Sequence, residues 1–315
     1  MKCLVTGGCG FIGSHLVDLL LKEGFRVVVV DDLSTGKISN LQGHNPFSNP
    51  NLECRRTDFA DLAFLEEIRC GSFDWVFHLA ATASVPYSVK HPVDTNHNNV
   101  SKTLALLEAC RVGKVKKFVF SSSSAVYGDS KKVPTPESEP RNPESPYALQ
   151  KAMVEDYCKL YSKLYGFQSV CLRYFNVFGP RQAGSGPYAN VISSWCVNGI
   201  RNKRIRLDGD GSAQRDFVYV GDVARANLLA AKSDIEFGCY NVGSGTSYSI
   251  KHILGIFLRE FGDIDIDKAP QRLGDVSYTE ASTYLASEKI NHIPSARFFE
   301  DDLVDTFNWY KENVE

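Results

Sequence analysis

The chain has 315 residues, 43 % hydrophobic and 23 % charged, with a formal net charge of −2. These values suit a soluble globular protein with one large α/β core and a smaller second lobe. They lack the basic excess that a nucleic-acid partner would need.

Cys3–Val5 reads as a strand that starts at once, leaving no room for a signal peptide before it. The pattern from Gly13 to about Lys22 is helical, with Leu16, Leu19 and Leu20 on one stripe. Arg26–Val30 is a second strand, nearly all Val, and this apolar run is far too short to span a bilayer. Residues 32–50 are rich in Gly, Ser, Asn and Pro and read as a surface loop. Leu52–Arg56, Trp75–Leu79 and Lys117–Phe120 are further buried strands, with helices at Leu62–Ile68 and Val100–Cys110 between them. This βαβ rhythm predicts a doubly wound parallel sheet of Rossmann type, covered on both faces. Five prolines between residues 129 and 146 predict a rigid loop. A helix follows over Tyr147–Tyr165 and a strand over Val170–Tyr174. Residues 1–178 are therefore read as mainly the dinucleotide domain, rejoined by some later segments. Residues 179–315 are read as mainly a smaller α/β substrate lobe. The nine Cys include no Cys-x-x-Cys pair, and the seven His show no ligand spacing. Thiols in a reducing, cytoplasmic compartment are expected, with no metal and no membrane partner.

Thr6-Gly7-Gly8-Cys9-Gly10-Phe11-Ile12-Gly13 joins the first strand to the first helix. Glycines at 7, 10 and 13 permit a tight turn, close backbone approach to a pyrophosphate, and close packing of helix on strand. Such a pattern alone is also found in ordinary glycine-rich turns. Here its position between strand and helix matches what the mechanism demands. Asp31 ends the second strand, where a carboxylate can accept both ribose hydroxyls of NAD and would repel a 2′-phosphate. Asp32 shares that role or is simply solvated. Asp58, with Phe59 beside it, is placed to meet the adenine amino group; the alternative is a loop or cap carboxylate.

Tyr147 and Lys151 lie four apart on a helix and so share one face. A free phenol, with a pKa near ~10, is a poor base at neutral pH. Bringing it to about 7 needs ~4 kcal/mol, which a nearby ammonium and an oxidised nicotinamide could supply in a dry pocket. The pair alone occurs by chance on many helices. The strand Phe118–Phe120, however, leads into Ser121-Ser122-Ser123-Ser124, which brings hydroxyls to the sheet edge where α/β enzymes hold ligands.

These segments, in this order, resemble the extended short-chain dehydrogenase/reductase family, and within it the UDP-hexose 4-epimerases. The likeness continues through His78-Leu79-Ala80-Ala81, Arg173 to Arg181, Gly209-Asp210-Gly211, Arg215-Asp216-Phe217, Asn241-Val242-Gly243 and Arg272 to Asp275. It implies Ser123, Tyr147 and Lys151 as the catalytic set. For NAD it implies the residues already named together with Ser34, Leu79, Ala80, Ala81, Asn99 and Tyr174. For the sugar nucleotide it implies Ser84, Ser123, Ser124, Tyr147, Asn176, Val191, Arg215, Arg272, Asp275 and Thr279. Two Arg forks on a diphosphate make chemical sense.

Related 4,6-dehydratases place Asp-Glu directly after the catalytic hydroxyl, where this chain has Ser124 and Ala125. Thr279 stands at the position said to gate the sugar's C2 substituent, and its small size points to UDP-GlcNAc and UDP-GalNAc. The resemblance also implies a homodimer. UDP-uronate epimerisation, another NAD-dependent dehydratase or decarboxylase reaction, and a catalytically lapsed NAD-binding regulator are the alternatives. The sequence departs from the family pattern at Lys102, where Gly is usual, and at Leu273.

Overall fold

The computed structural model describes residues 1–44, 49–186, 189–270, 277–295 and 297–314. The N-terminal half runs β1 (Lys2–Thr6), α1 (Phe11–Lys22), β2 (Arg26–Asp31), β3 (Leu52–Arg56), α2 (Leu62–Arg69), β4 (Trp75–His78), α3 (Val85–Lys90), α4 (Pro92–Asn96), α5 (Lys102–Val112), β5 (Lys117–Ser123), α6 (Pro146–Tyr165) and β6 (Ser169–Tyr174). There follow β7 (Asn176–Phe178), α7 (Val191–Asn202), β8 (Arg204–Asp208), β9 (Gln214–Tyr219), α8 (Val220–Lys232), β10 (Phe237–Val242), β11 (Ser247–Ser249), α9 (Ile250–Phe261), β12 (Asp265–Ala269), α10 (Tyr284–Ile290) and α11 (Phe299–Asn313).

Seven strands form one parallel sheet in the order β10-β6-β5-β4-β1-β2-β3. The Val-rich and Phe-rich strands are buried on both faces, as a parallel sheet between helices requires. One apolar layer joins Val27, Val29, Phe77 and Leu172 to α1, α8 and α10; the other joins Val28, Val76, Phe118 and Phe120 to α2, α5 and α6. Strand order reverses between β1 and β4. That reversal opens a crevice at the carboxyl ends of both strands, where ligands of such sheets bind. The fold is the doubly wound Rossmann type.

A three-stranded sheet, β11-β9-β7, and a two-stranded one, β12-β8, make up the smaller layer. Trp195, Phe257 and Phe307 fill its core.

Several boundaries differ from the sequence reading. Helix α1 begins at Phe11, because the glycine turn is shorter than expected. The fifth strand continues to Ser123, so Ser121–Ser123 belong to the sheet, and a 3₁₀ turn follows over Ser124–Tyr127. The helix expected at Val100–Cys110 is α5, preceded by one π turn at His97–Ser101. The loop after β2 contains a 3₁₀ segment at Ile38–His44. Among the described residues no helix is long and apolar enough to cross a membrane.

Candidate active site

A cavity of about 700 Å³ follows the crevice. Gly7, Gly10, Phe11, Ile12 and Gly13 line one wall; Asp31, Asp32, Ser34, Asp58 and Phe59 line one end; Tyr147, Lys151 and Tyr174 line the other. Leu79, Ala80 and Ala81, beyond β4, also line it, as do Arg181 to Ser185 and Trp309, Tyr310 and Asn313 of α11.

The glycine wall is fixed by close contact. A Cβ on Gly13 would sit 2.2 Å from the Gly7 carbonyl oxygen, and one on Gly7, at φ +70°, would meet Ala80 N at 2.8 Å. Larger residues would push α1 off the sheet. Gly10 caps α1 with no side-chain hydrogen bond, so the first-turn N–H groups are left for an anion. Asp31 is buried, and its carboxylate accepts N–H groups from Cys9 and Leu33, both at 2.9 Å. Each oxygen keeps a second lone pair. Desolvation pushes the Asp31 pKa up, while those two amides oppose the shift. Asp32 is exposed and accepts from Ser34 Oγ at 2.6 Å. A long groove with an uncapped helix start in its middle and a carboxylate near one end fits a dinucleotide.

At the other end, α6 and β5 meet. Ser145 and Pro146 start α6: the Ser145 hydroxyl accepts from Ala148 N, and Pro occupies a first-turn position where its missing N–H costs nothing. This sets Tyr147 and Lys151 facing β5. Lys151 is buried, and its Nζ donates to the Ser121 carbonyl oxygen at 2.7 Å, 4.7 Å from the Phe120 ring centre. Burial pulls its pKa down to about 8. Its Nζ lies 5.8 Å from the Tyr147 ring centre. Tyr147 stays partly open to the cavity, yet desolvation pushes its phenol up to about 12, opposed by a hydrogen bond with Ser123. The protein alone thus leaves this phenol protonated, and a further positive charge is needed to make it a base. Tyr174 shares a 3.0 Å hydrogen bond with Ser121 Oγ and is held at 2.8 Å by Asn227.

A buried ion pair supports the serine strand from below. Arg173 donates to Glu155 through Nε at 2.9 Å and Nη2 at 2.7 Å, and Ser122 Oγ donates to the same carboxylate at 2.6 Å. His78, buried at the end of β4, bonds Thr6 Oγ1 at 2.7 Å and Thr103 Oγ1 at 2.9 Å. Burial lowers its pKa to about 3, so it is neutral.

Other sequence-predicted residues lie elsewhere. Asn99 is buried; its amide bonds Thr82 N, Thr82 O and Gln150, and its neighbour Asn98 lines the cavity instead. Ser84 is buried and caps α3, accepting from Tyr87 N at 3.2 Å. Ser124 begins the 3₁₀ turn and Val191 begins α7. Asn176 on β7 donates to Asp216 O at 3.2 Å and to Thr279 Oγ1 at 3.5 Å. Arg215, on the neighbouring β9, donates to Gln214 O. Asn176, Arg215 and Thr279 thus gather on the small sheet. Arg272 and Asp275 fall outside the described residues.

Sequence reasoning missed Lys37, Asn40, Asn98 and Arg181, which also line the cavity. The Lys37 amide and the Asn40 side chain both bond the Cys9 carbonyl, so the loop after β2 clasps the glycine turn. No local pattern in one sequence marks such residues. Lys102, where Gly was expected, leaves α5 intact and donates to Asp58 Oδ2 at 2.5 Å.

Residues 3–243 match the family described as NAD dependent epimerase/dehydratase. Among solved structures, the chain is similar to a UDP-N-acetylglucosamine 4-epimerase from Methanobrevibacter ruminantium M1 in complex with UDP-N-acetylmuramic acid (TM-score 0.93, 42 % identity, 99 % of each chain covered). It is also similar to the UDP-glucose 4-epimerase of Thermotoga maritima with UDP-glucose (0.92, 38 %, 100 % of each). A third likeness is to the UDP-glucose 4-epimerase of Thermus thermophilus in complex with NAD (0.89, 36 %, 100 % of each).

Proposed function

The chain belongs to the NAD-dependent epimerase/dehydratase family, and from that premise we propose that it is a UDP-hexose 4-epimerase, acting on UDP-GlcNAc and UDP-GalNAc and also on UDP-glucose and UDP-galactose. The observation that carries this reading is Tyr147 beside the buried, anchored Lys151 at one end of the glycine-walled cavity, where the serine strand ends at Ser123.

NAD is the cofactor, and it supplies a reversible hydride acceptor beside the sugar. The α1 start holds its pyrophosphate, Asp31 a ribose, and Lys151 the nicotinamide-side ribose. Tyr147 accepts the C4 hydroxyl proton while Ser123 holds that oxygen. The Lys151 ammonium, with the positive charge of the oxidised cofactor, brings the phenol down from its protonated resting state. The 4-keto sugar turns about its diphosphate link, and Tyr147 returns the proton with C4 inverted. Arg215 and Arg272 hold the diphosphate, with Asp275 on the uridine ribose, so the sugar itself is free to turn.

Elimination needs a second base. Ser124 and Ala125 follow Ser123, and the buried carboxylate behind the serine strand, Glu155, is held by Arg173 and Ser122. This favours epimerisation over dehydration. The small Thr279 beside Asn176 supports room for an N-acetyl group. A cytoplasmic homodimer completes the proposal. The exposed apolar side chains Val85, Tyr87 and Val89 on α3 and Leu149, Leu160 and Leu164 on α6 support that pairing.

The test is a panel of UDP-GlcNAc, UDP-glucose and UDP-glucuronate with purified protein, read by NMR. Formation of UDP-GalNAc is expected. Turnover of UDP-glucuronate alone would move the assignment to uronates, and no epimer from any of the three would leave a non-catalytic NAD-binding protein.

A further inference from the structure

All nine cysteines, each among the described residues, are unbridged. Two of them meet. Cys9 Sγ and Cys54 Sγ lie 3.7 Å apart, in contact, although 45 residues separate them in the chain. Cys9 sits inside the glycine turn with no exposed surface. Cys54 lies on β3, the edge strand of the large sheet, where it pairs with Val29 and is only partly buried. A disulfide holds its sulfurs about 2.05 Å apart, so closing this pair takes a movement of roughly 1.7 Å.

Both thiols are tied to the wall of the cavity. Cys9 N donates to Asp31 Oδ2 at 2.9 Å, and the Cys9 carbonyl accepts Lys37 N at 2.9 Å and Asn40 Nδ2 at 2.8 Å. Asp31, Lys37 and Asn40 line the cavity, as does Gly10, the next residue in the chain. Three residues beyond Cys54 the chain reaches Thr57, which lines the same cavity. The turn has little room to follow a pull. A Cβ on Gly8 would stand 2.8 Å from the Val29 methyls, and one on Gly13 2.2 Å from the Gly7 carbonyl oxygen. A bond between the two sulfurs therefore strains the backbone that fixes Asp31 and presents the start of α1.

We propose that Cys9 and Cys54 are a modification site, which a small disulfide from solution converts to an intramolecular bridge that weakens dinucleotide binding. Exposure sets the order of events. Cys54 is the thiol that solvent reaches, and its hydrogen bond with Cys9 lowers its pKa while raising that of Cys9. The Cys54 thiolate attacks one sulfur of the reagent. The reagent's S–S bond breaks, and its released half takes up the proton that Cys54 gave. Cys9 then attacks the Cys54 sulfur, loses its own proton, and expels the second half as a thiol. Two protein thiols are oxidised by two electrons, and one small disulfide is reduced to two thiols. A reducing compartment keeps the pair open, and an oxidising one closes it. The bridge is independent of the proposed reaction; its effect on NAD rests on the dinucleotide lying along the glycine turn.

The test treats the NAD-bound protein with excess cystamine. Peptide mapping by mass spectrometry locates the products, and bound NAD per chain is measured after gel filtration. The expected product is a Cys9–Cys54 bridge, alongside a mixed disulfide on the exposed Cys70. Bound NAD falls in step with the bridged fraction, the affinity dropping at least about tenfold, within the usual range for coupled sites. Excess cysteamine followed by fresh NAD restores it. Cys54→Ser, treated alike, keeps its NAD and is modified at Cys70. Cys9→Ala stops at a mixed disulfide on Cys54.

Failure of the bridge to form, or its mapping to another thiol pair, overturns the site. A complete bridge with NAD fully retained overturns the coupling. Equal loss of NAD from treated Cys54→Ser also overturns it, by placing the effect at another cysteine. Untreated protein that holds no NAD would count against the cofactor's placement instead, and the mapped bridge would still stand or fall by itself.

Discussion

The two ends of this molecule's chemistry are built differently. The dinucleotide cradle is made of backbone: glycines too close to their neighbours to carry a Cβ, an uncapped helix start, and a buried Asp31 already fixed by two amides. The proposed sugar side is made of side chains at the small sheet, Asn176, Arg215 and Thr279, drawn from positions up to 103 residues apart. The first is fixed by contacts within the chain itself. The second holds itself together through bonds such as Asn176 to Asp216 O, which a ligand can replace one for one. A family can therefore keep one cofactor while its sugars vary.

Four experiments bear on this contrast. Tyr147→Phe should lower turnover by about 10²–10⁴, the usual worth of a general acid–base group. Bound NAD, measured after gel filtration, should stay at the native level; loss of both together would mean that the cradle is not independent of the catalytic group.

Glu155→Gln leaves the Arg173 guanidinium buried without its counter-charge. A loss of roughly 3–5 kcal/mol of stability is expected from breaking a buried pair on one side. Chemical denaturation measures it, and an unchanged midpoint would show that the serine strand needs no such support.

Thr279→Tyr should spare UDP-glucose and reduce kcat/KM for UDP-GlcNAc by at least about tenfold, since steric exclusion exceeds the ~1–3 kcal/mol set by one methylene in a pocket. Equal loss of both substrates would remove Thr279 as the gate.

The smallest effect is one of pH, and it has opposite signs at the two ends. His78 under the cradle is neutral, its pKa lowered to about 3 by burial. Below its ordinary value near ~6.5 the unfolded chain takes up a proton that the native state refuses, so stability falls as the medium is acidified. The loss is about 1.4 kcal/mol per pH unit between those limits. Asp216 under the small sheet has its pKa raised, again by burial, so the native state takes up that proton first and gains stability as pH falls. Urea midpoints at pH 6 and pH 5 should therefore show a weaker acid sensitivity in His78→Phe than in the native chain. An unchanged slope would place the acid response elsewhere.

The sequence made the large sheet legible because its determinants are local. Unbroken β-branched and aromatic runs such as Val27–Val30 and Phe118–Phe120 read as strands covered on both sides, and the glycine turn, set between strand and helix, points to a dinucleotide. The four-residue step from Tyr147 to Lys151 was equally readable, since helical geometry alone puts both on one face. What escaped depended on distant partners. Whether Asn98 or Asn99 faces the cavity turns on one π turn, which rotates the helix face just there. The extension of β5 through Ser123 depends on pairing with β6, where Ser123 lies opposite Tyr174. Lys102 departs from the family pattern with no local signal of what it meets, because its partner Asp58 is 44 residues away in the chain.

Tyr174 closes β6 in the large sheet, and Asn176 opens β7 in the small one. Phe175 alone separates them, buried and hydrogen-bonded through its amide to Val242 O. This one-residue splice gives the two layers no slack: a tilt of either must carry the other with it. On the proposed assignment, the cofactor-side Tyr174 and the sugar-side Asn176 are thus mechanically a single part, and the spacing between them is set by the covalent chain.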